Sequence, residues 1–447
     1  MFQNRKVETM ISKNSFSFIL IFLIFSQGQL VIAQENLTLS AAIESTLKHN
    51  FFINISRNNQ QVATNDNHIG NAGFLPIVDI AAGVSTANNN IEQVYSNCNV
   101  VEQDGAKTEN LNASARLNWT LFDGMRMFAA KSRLEANEEA SAFNLKLEIE
   151  NKVSETIGTY FNVVRLQQTI RVLEEIIKIY EDRVQIAETR FQIGSASKLD
   201  FLQAQVDRNS QMSEIMQERI NLETAISNMN RLMGRTEFVT FIATDSIVIN
   251  YEPNFSELKK TIQGNNTELN YRIKTAEVSN HLIDEMRAIR YPWLAANVNY
   301  NFNRTENEVG FSLLNKNQGL TAGLTLSWNI FNGFNANREI KNAKLNFLST
   351  QLLLEDTRSK IEHDLYISFR KFESDRAILR LEEGNVVSAK ENADVALEAY
   401  RLGSISGLQL KEAQNSYEES LSRLINARYE VKLSETNLMK LNGDLVK

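Results

Sequence analysis

Hydrophobic and polar positions along this chain follow two periods, and each period keeps to its own stretches. Over residues 321–330, Ala322, Leu324, Leu326, Trp328 and Ile330 alternate with Thr321, Gly323, Thr325, Ser327 and Asn329. Residues 294–303 likewise set Leu294, Ala296, Val298, Tyr300 and Phe302 against Asn297, Asn299, Asn301 and Asn303. A period of two places each set on one face of a strand, and about ten residues is the reach of a tilted transmembrane strand. A half-buried strand of a soluble sandwich would read the same way, but four such strands per chain make a poor sandwich. Elsewhere the period is helical. Leu166, Ile170, Leu173, Ile177, Tyr180, Val184, Ala187 and Phe191 step by alternating fours and threes, which is a coiled-coil seam. No proline interrupts Met125–Gln192, which predicts a helix about 100 Å long at ~1.5 Å per residue.

The whole pattern occurs twice. RLNWTLFDG around Trp119 returns as TLSWNIFNG around Trp328, and ETRFQIGSASKLDFLQAQ (188–205) returns as EAYRLGSISGLQLKEAQ (398–414). Trp119 and Trp328, Gly194 and Gly403, and Gly234 and Gly443 are all 209 positions apart, an offset that chance does not sustain. Pro76 and Pro292 are 216 apart, so the first copy holds seven extra residues between its proline and its tryptophan. Each copy predicts an amphipathic helix (38–70 and 255–289), a proline, a strand, a polar loop (about 87–110 and 304–319), a second strand, and a long helical hairpin. The resulting division is 34–234 for the first repeat, 235–254 for a linker and 255–447 for the second repeat.

Composition sharpens this picture. Only 3 of 447 residues are proline, where about twenty are usual, so long helices are permitted. Near the start, FSFILIFLIF (16–25) preceded by Lys13 and followed by VIA-Q predicts a signal peptide over 1–33, too short to span a bilayer. Its removal takes three basic and one acidic side chain from totals of 47 and 54, leaving a net charge of −9, which disfavours nucleic acid as a partner. The single cysteine, Cys98, forms no internal disulfide, and the four histidines lack metal-ligand spacing. No phosphate loop or nucleophile elbow is present, so neither enzymatic activity nor a cofactor is expected.

Four strands cannot close a barrel, and an open edge in lipid leaves backbone groups unsatisfied. Two copies would give eight strands and a filled interior; three would give twelve and leave room for passage. Phe74, Trp119, Tyr291, Trp293 and Trp328 lie where strand meets helix, the place for an aromatic belt. A soluble periplasmic coiled-coil scaffold or adaptor is the competing reading, but it would not need matched hairpins.

With its tandem repeat, its two W-x-x-F-[DN]-G strand ends and its two G-x-x-x-x-L-x-x-x-x-A-Q turns, the chain resembles the TolC-type outer-membrane efflux protein family over residues 36–444. The resemblance implies a homotrimer with a 12-stranded barrel in the outer-membrane lipid of a Gram-negative bacterium, four strands from each protomer, continued by an α-helical coiled-coil barrel in the periplasm. It implies the exit duct of a tripartite efflux or type I secretion system, partnered by a periplasmic adaptor (membrane fusion protein) and an inner-membrane RND or ABC transporter.

The helix-hairpin turns carry their own local signals. Ser197-Lys198-Leu199-Asp200 and Ser406-Gly407-Leu408-Gln409 both read as capping boxes, and Gly194 and Gly403 supply permissive turn geometry. The resemblance makes these turns the closed periplasmic entrance. It matches Asp200 to an entrance acid, Tyr400 to an aromatic of the second turn and Glu412 to an inner acid, and makes Gly194, Leu199, Gly403 and Leu408 candidate adaptor contacts. Gln409 and Ile405 depart from it, standing where some members have an aspartate and an arginine.

Overall fold

The computed structural model describes residues 35–235 and 239–446. The signal-peptide expectation over 1–33 lies outside the described residues. Four strands form one antiparallel sheet: β2 (Ile77–Val94), β3 (Val100–Phe122), β5 (Trp293–Asn307) and β6 (Leu314–Ser327), in the order β2-β3-β5-β6. A three-residue parallel pair, β1 (Glu35–Leu37) with β4 (Phe241–Ala243), joins the beginning of the first repeat to the stretch read as a linker.

Register makes the large sheet two-faced. Val78, Leu117, Val298 and Ala322 lie opposite one another in one row, and Ile80, Ala115, Tyr300 and Leu320 in a second. The intervening rows set Asn118 against Asn297 and Gly323, Ser114 against Asn301 and Gly319, and Asn112 against Asn303 and Asn317. The apolar stretch runs over Val78–Val84 on β2 but over Leu320–Leu326 on β6, although Val78 shares its row with Ala322. A slanted band of this kind is what strands tilted against a barrel axis require. Among the described residues, both outer strands, β2 and β6, leave one edge unpaired.

The hairpins reach further than alternation predicts. Residues read as polar loops continue the ladders, so that β2 and β3 pair as far as Val94 and Val100, with a bulge between Asn89 and Ile91. Past the apolar band polar residues occupy both faces and the few aliphatic ones do not alternate, so period two vanishes from the sequence while the backbone bonds persist.

Each strand is continued by a helix. α2 (Phe51–Asp66) leads into β2, α3 (Arg126–Gln192) leaves β3, α6 (Thr267–Arg287) leads into β5 and α7 (Asn335–Arg401) leaves β6. These helices pack in the order of their strands, α2 on α3, α3 on α6, and α6 on α7. The two long ones are 67 residues each, about 100 Å at ~1.5 Å per residue. α4 (Lys198–Leu232) returns along α3, and α8 (Gly407–Leu441) along α7. The seam of α3 is buried through Leu166, Ile170, Leu173, Tyr180, Val184 and Ala187. Ile176 rather than Ile177 is the buried isoleucine, and Phe191 is 38% exposed where the hairpin opens at its turn.

The expected single helices 38–70 and 255–289 are each broken in two. α1 (Leu39–His49) precedes α2, and α5 (Phe255–Asn265) precedes α6. At each break one asparagine ends a helix and starts the next. Asn50 Oδ1 accepts from the N–H groups of Phe52 and Ile53 while its Nδ2 donates to Leu232 O at 2.9 Å. Asn266 Oδ1 accepts from Leu269 N, and its Nδ2 donates to Leu441 O at 2.9 Å. The side chain thus caps one helix and satisfies an orphan carbonyl of another. Two equivalent cores sit beside these breaks, one around Tyr160, Phe161 and Met229, the other around Leu365, Phe372 and Leu438.

Candidate channel entrance and membrane boundary

Where strand becomes helix, the F-[DN]-G motif has a backbone explanation. Gly124 and Met125 take positive φ (71° and 73°), as do Gly333 and Phe334 (66° and 62°). Two left-handed residues in succession turn the chain from strand to helix, and the glycine removes the cost at the first. The preceding acid or amide secures the new helix: Asp123 Oδ1 accepts from Met127 N at 3.1 Å, and Asn332 Oδ1 from Ala336 N at 3.3 Å.

The two tryptophans tie this turn to the incoming helix. Trp119 Nε1 donates to Phe74 O at 2.9 Å, and Trp328 Nε1 to Arg290 O at 3.0 Å, each acceptor lying two residues before its proline. Their rings remain exposed in a single copy. Phe74 packs on Ala72, Ala130 and Leu134 and meets Phe128 edge-on at 5.1 Å. Tyr291 and Trp293 are exposed as well, but Trp293 stands opposite Ser327, in the row series of the asparagines rather than of the apolar residues.

At the far end, the hairpin turns are built by glycine and serine. Gly194 and Gly403 take φ of 75° and 79° and open space surrounds Gly194. Ser406 forms the full capping box, its side chain accepting from Gln409 N while Gln409 Oε1 accepts from Ser406 N at 2.9 Å. Ser197 accepts from Asp200 N at 3.2 Å, without the return bond that Gln409 makes in the second turn. The first box is therefore half of the one its sequence predicts.

The expected entrance residues fall in different surroundings. Asp200 and Glu412 are exposed, as are Leu199 and Leu408. Glu412 lines a shallow hollow of about 380 Å³ with Ile405 and Gln409, and Asp200 takes no part in it. Tyr400 is 3% exposed: the Arg190 guanidinium lies 5.1 Å from its ring centre and donates to its carbonyl at 3.3 Å.

Sequence reasoning missed a polar cluster just above the turns. Arg183 on α3 reaches Asp207 on α4 at 3.0 Å, Lys411 on α8 reaches the same carboxylate at 2.7 Å, and Gln203 donates to it at 2.9 Å. Burial opposes ionisation of Asp207, but the Lys411 and Gln203 hydrogen bonds and the Arg183 charge hold its pKa below the usual value. Higher up, Tyr180 donates to Asn415 at 2.9 Å and Gln211 to Glu418 at 3.0 Å. Burial, with Glu214 nearby, pushes Glu418 up to about 7. The one available signal was charge beside a coiled-coil seam, which usually means a solvated flank. Among the described residues, no group of three or more His, Cys, Asp or Glu could hold a metal ion, and no helix is long and apolar enough to cross a membrane.

Comparison with known proteins extends over most of the chain. The model of the family described as outer membrane efflux protein matches residues 42–235 and 260–444. The outer membrane protein TolC of Escherichia coli (strain K12) is 20% identical over 364 residues, 79% of this chain and 73% of that protein. The outer membrane efflux protein BepC of Brucella suis is 17% identical over 418 residues, 93% of this chain and 87% of its own length. Among solved structures, the CmeC outer membrane channel of Campylobacter jejuni superposes with a TM-score of 0.77 at 17% identity, over 91% of this chain and 85% of that one.

Proposed function

Because the chain belongs to the outer membrane efflux protein family, we propose that three copies close their sheets into one 12-stranded barrel in the outer membrane and act as the passive exit duct of a tripartite efflux or type I secretion system. One observation carries this reading: a two-faced sheet of four strands, unpaired along both edges, is continued strand by strand by helices. Backbone groups on a free edge have no partner in hydrocarbon, so the apolar face can enter lipid only after edge β6 of one copy meets edge β2 of the next. The duct does no chemistry. Energy and opening come from partners, a periplasmic adaptor and an inner-membrane RND or ABC transporter. Residues 34–234 and 255–447 act as two half-tunnels per protomer, joined by 235–254.

The entrance is the ring of helix-hairpin turns. Gly194, Leu199, Gly403 and Leu408 form the surface an adaptor grips, supported by the exposure of both leucines at the turns. Asp200 and Glu412 contribute acidic rings, and Tyr400 props the second turn through its stacking on Arg190. Single-channel recording of Glu412→Gln and Asp200→Asn tests these rings: lower cation preference is expected, and unchanged preference and conductance removes them. For the duct itself, the expected result is a heat-dissociated trimer in the outer-membrane fraction that only detergent releases. Release from washed envelopes without detergent would favour a periplasmic scaffold.

A further inference from the structure

The polar face of the sheet is unusual in what it lacks. From the row of Asp79, Arg116, Asn299 and Thr321 outward to that of Ala87, Thr108 and Asn307, it carries one acid and one base, and these stand directly opposite each other on β2 and β3. The other positions are asparagine, serine, threonine, glycine and alanine. Charge is not scarce on these strands. Glu109, Arg304, Glu306 and Lys316 all belong to the opposite face, at the outer end of the apolar band. The chain as a whole is acidic, with 54 Asp and Glu against 47 Lys and Arg. Its barrel interior has escaped that excess.

We propose that the barrel section is a charge-balanced, amide-lined conduit that does not discriminate by the sign of charge on what crosses it, and that Asp79 and Arg116 hold that balance. The proposal rests on the duct reading. Fixed charge on a water-filled, low-dielectric wall focuses field and enriches counter-ions. Cancellation across one row removes that bias, since residues directly opposite on neighbouring strands have Cβ atoms about 5 Å apart, inside a Debye length of about 8 Å at physiological salt. Amides donate and accept alike, so the wall hydrogen-bonds anionic, cationic and neutral polar solutes without preference. Any selectivity for charge then belongs to the helical tunnel and its tip.

The test uses the full chain in intact cells, with Cys98→Ser as background and water-soluble methanethiosulfonate reagents of either charge added outside. Asn301→Cys reports the polar face, Ala322→Cys the opposite face, and Ser312→Cys the exposed hairpin end. Asn301→Cys is expected to react with both reagents, at a cationic-to-anionic rate ratio within about twofold of that at Ser312→Cys. Adding Asp79→Asn should move the ratio about fivefold toward the anionic reagent, and Arg116→Gln about as far the other way, with the double variant returning to the parent value. If either single variant fails to assemble, Asn299→Asp, in the same row, should move the ratio toward the cationic reagent. A tenfold bias in the parent, or single variants moving the ratio in one direction, overturns the charge balance while leaving the duct intact. Asn301→Cys reacting no faster than Ala322→Cys would instead remove the duct, because that face would not be wet.

Discussion

Gly234 and Gly443 close the two repeats at φ of 69° and 70°, and a Cβ on either would lie 2.4 Å from a backbone oxygen, that of His49 or of Asn265. Gly194 has a similar φ of 75° but nothing within 4 Å. The three positions therefore separate conformational cost from collision. Gly194→Ala should cost about 1–2 kcal/mol for the left-handed backbone alone. Gly234→Ala adds displacement of the α1 terminus and should cost about 3 kcal/mol or more; the heat-dissociation midpoints of the two variants compare them, and equal midpoints would contradict the collision. Glu418 offers a residue-scale dependence on pH. Its folded pKa of about 7 lies above the ordinary value of 4.5, through burial first and the neighbouring Glu214 second. A raised acid favours folding below the unfolded pKa and loses that contribution as pH rises through the folded one. Stability should thus fall between about pH 4.5 and 7, and Glu418→Gln, which keeps an acceptor for Gln211, should flatten that fall. An unchanged pH profile of the unfolding temperature would assign the dependence to other groups.

At the scale of elements, the breaks at Asn50 and Asn266 rest on single side chains. Asn266→Ala removes the cap on Leu269 N and leaves Leu441 O without its donor, for a cost of about 1–3 kcal/mol. Hydrogen exchange should show the loss at the start of α6 and the end of α8 together, and loss at α6 alone would mean that the Leu441 bond carries nothing. These breaks were not legible in the sequence, because the amphipathic pattern runs through them and asparagine at a helix end is decided by a carbonyl 175 or more residues away. The long helices, the strand cores and the 209-residue repeat were legible, since each depends on local period or on comparison of the chain with itself. β1 and β4, three residues each, carry no period at all. At the turns, the glycines and serines were readable as local geometry. The burial of Tyr400 by Arg190 and the Arg183–Asp207–Lys411 cluster were not, because they are made between helices.

For the whole molecule, one consequence of a two-faced sheet is that neighbouring residues on one strand meet different solvents. Ile80 shares its row with Ala115, Tyr300 and Leu320, and is 83% exposed in a single copy. Ala81 shares its row with Ser114, Asn301 and Gly319. In water the two exposures would be equivalent, and an arginine at either position would be tolerated. In a closed barrel Ile80→Arg puts a guanidinium into hydrocarbon, at about 2–4 kcal/mol near the bilayer midplane, whereas Ala81→Arg adds a hydrated side chain to the lumen. Three copies multiply the first cost by three, which is comparable to the stability of an ordinary domain. Ile80→Arg should therefore deplete the heat-dissociated trimer from the outer-membrane fraction, and Ala81→Arg should leave most of it in place. Equal yields of the two variants would mean that the apolar face meets water or another protein instead of lipid. A yield lost only with Ala81→Arg would turn the sheet inside out, placing the asparagine rows against the bilayer, where their unpaired amides could not persist.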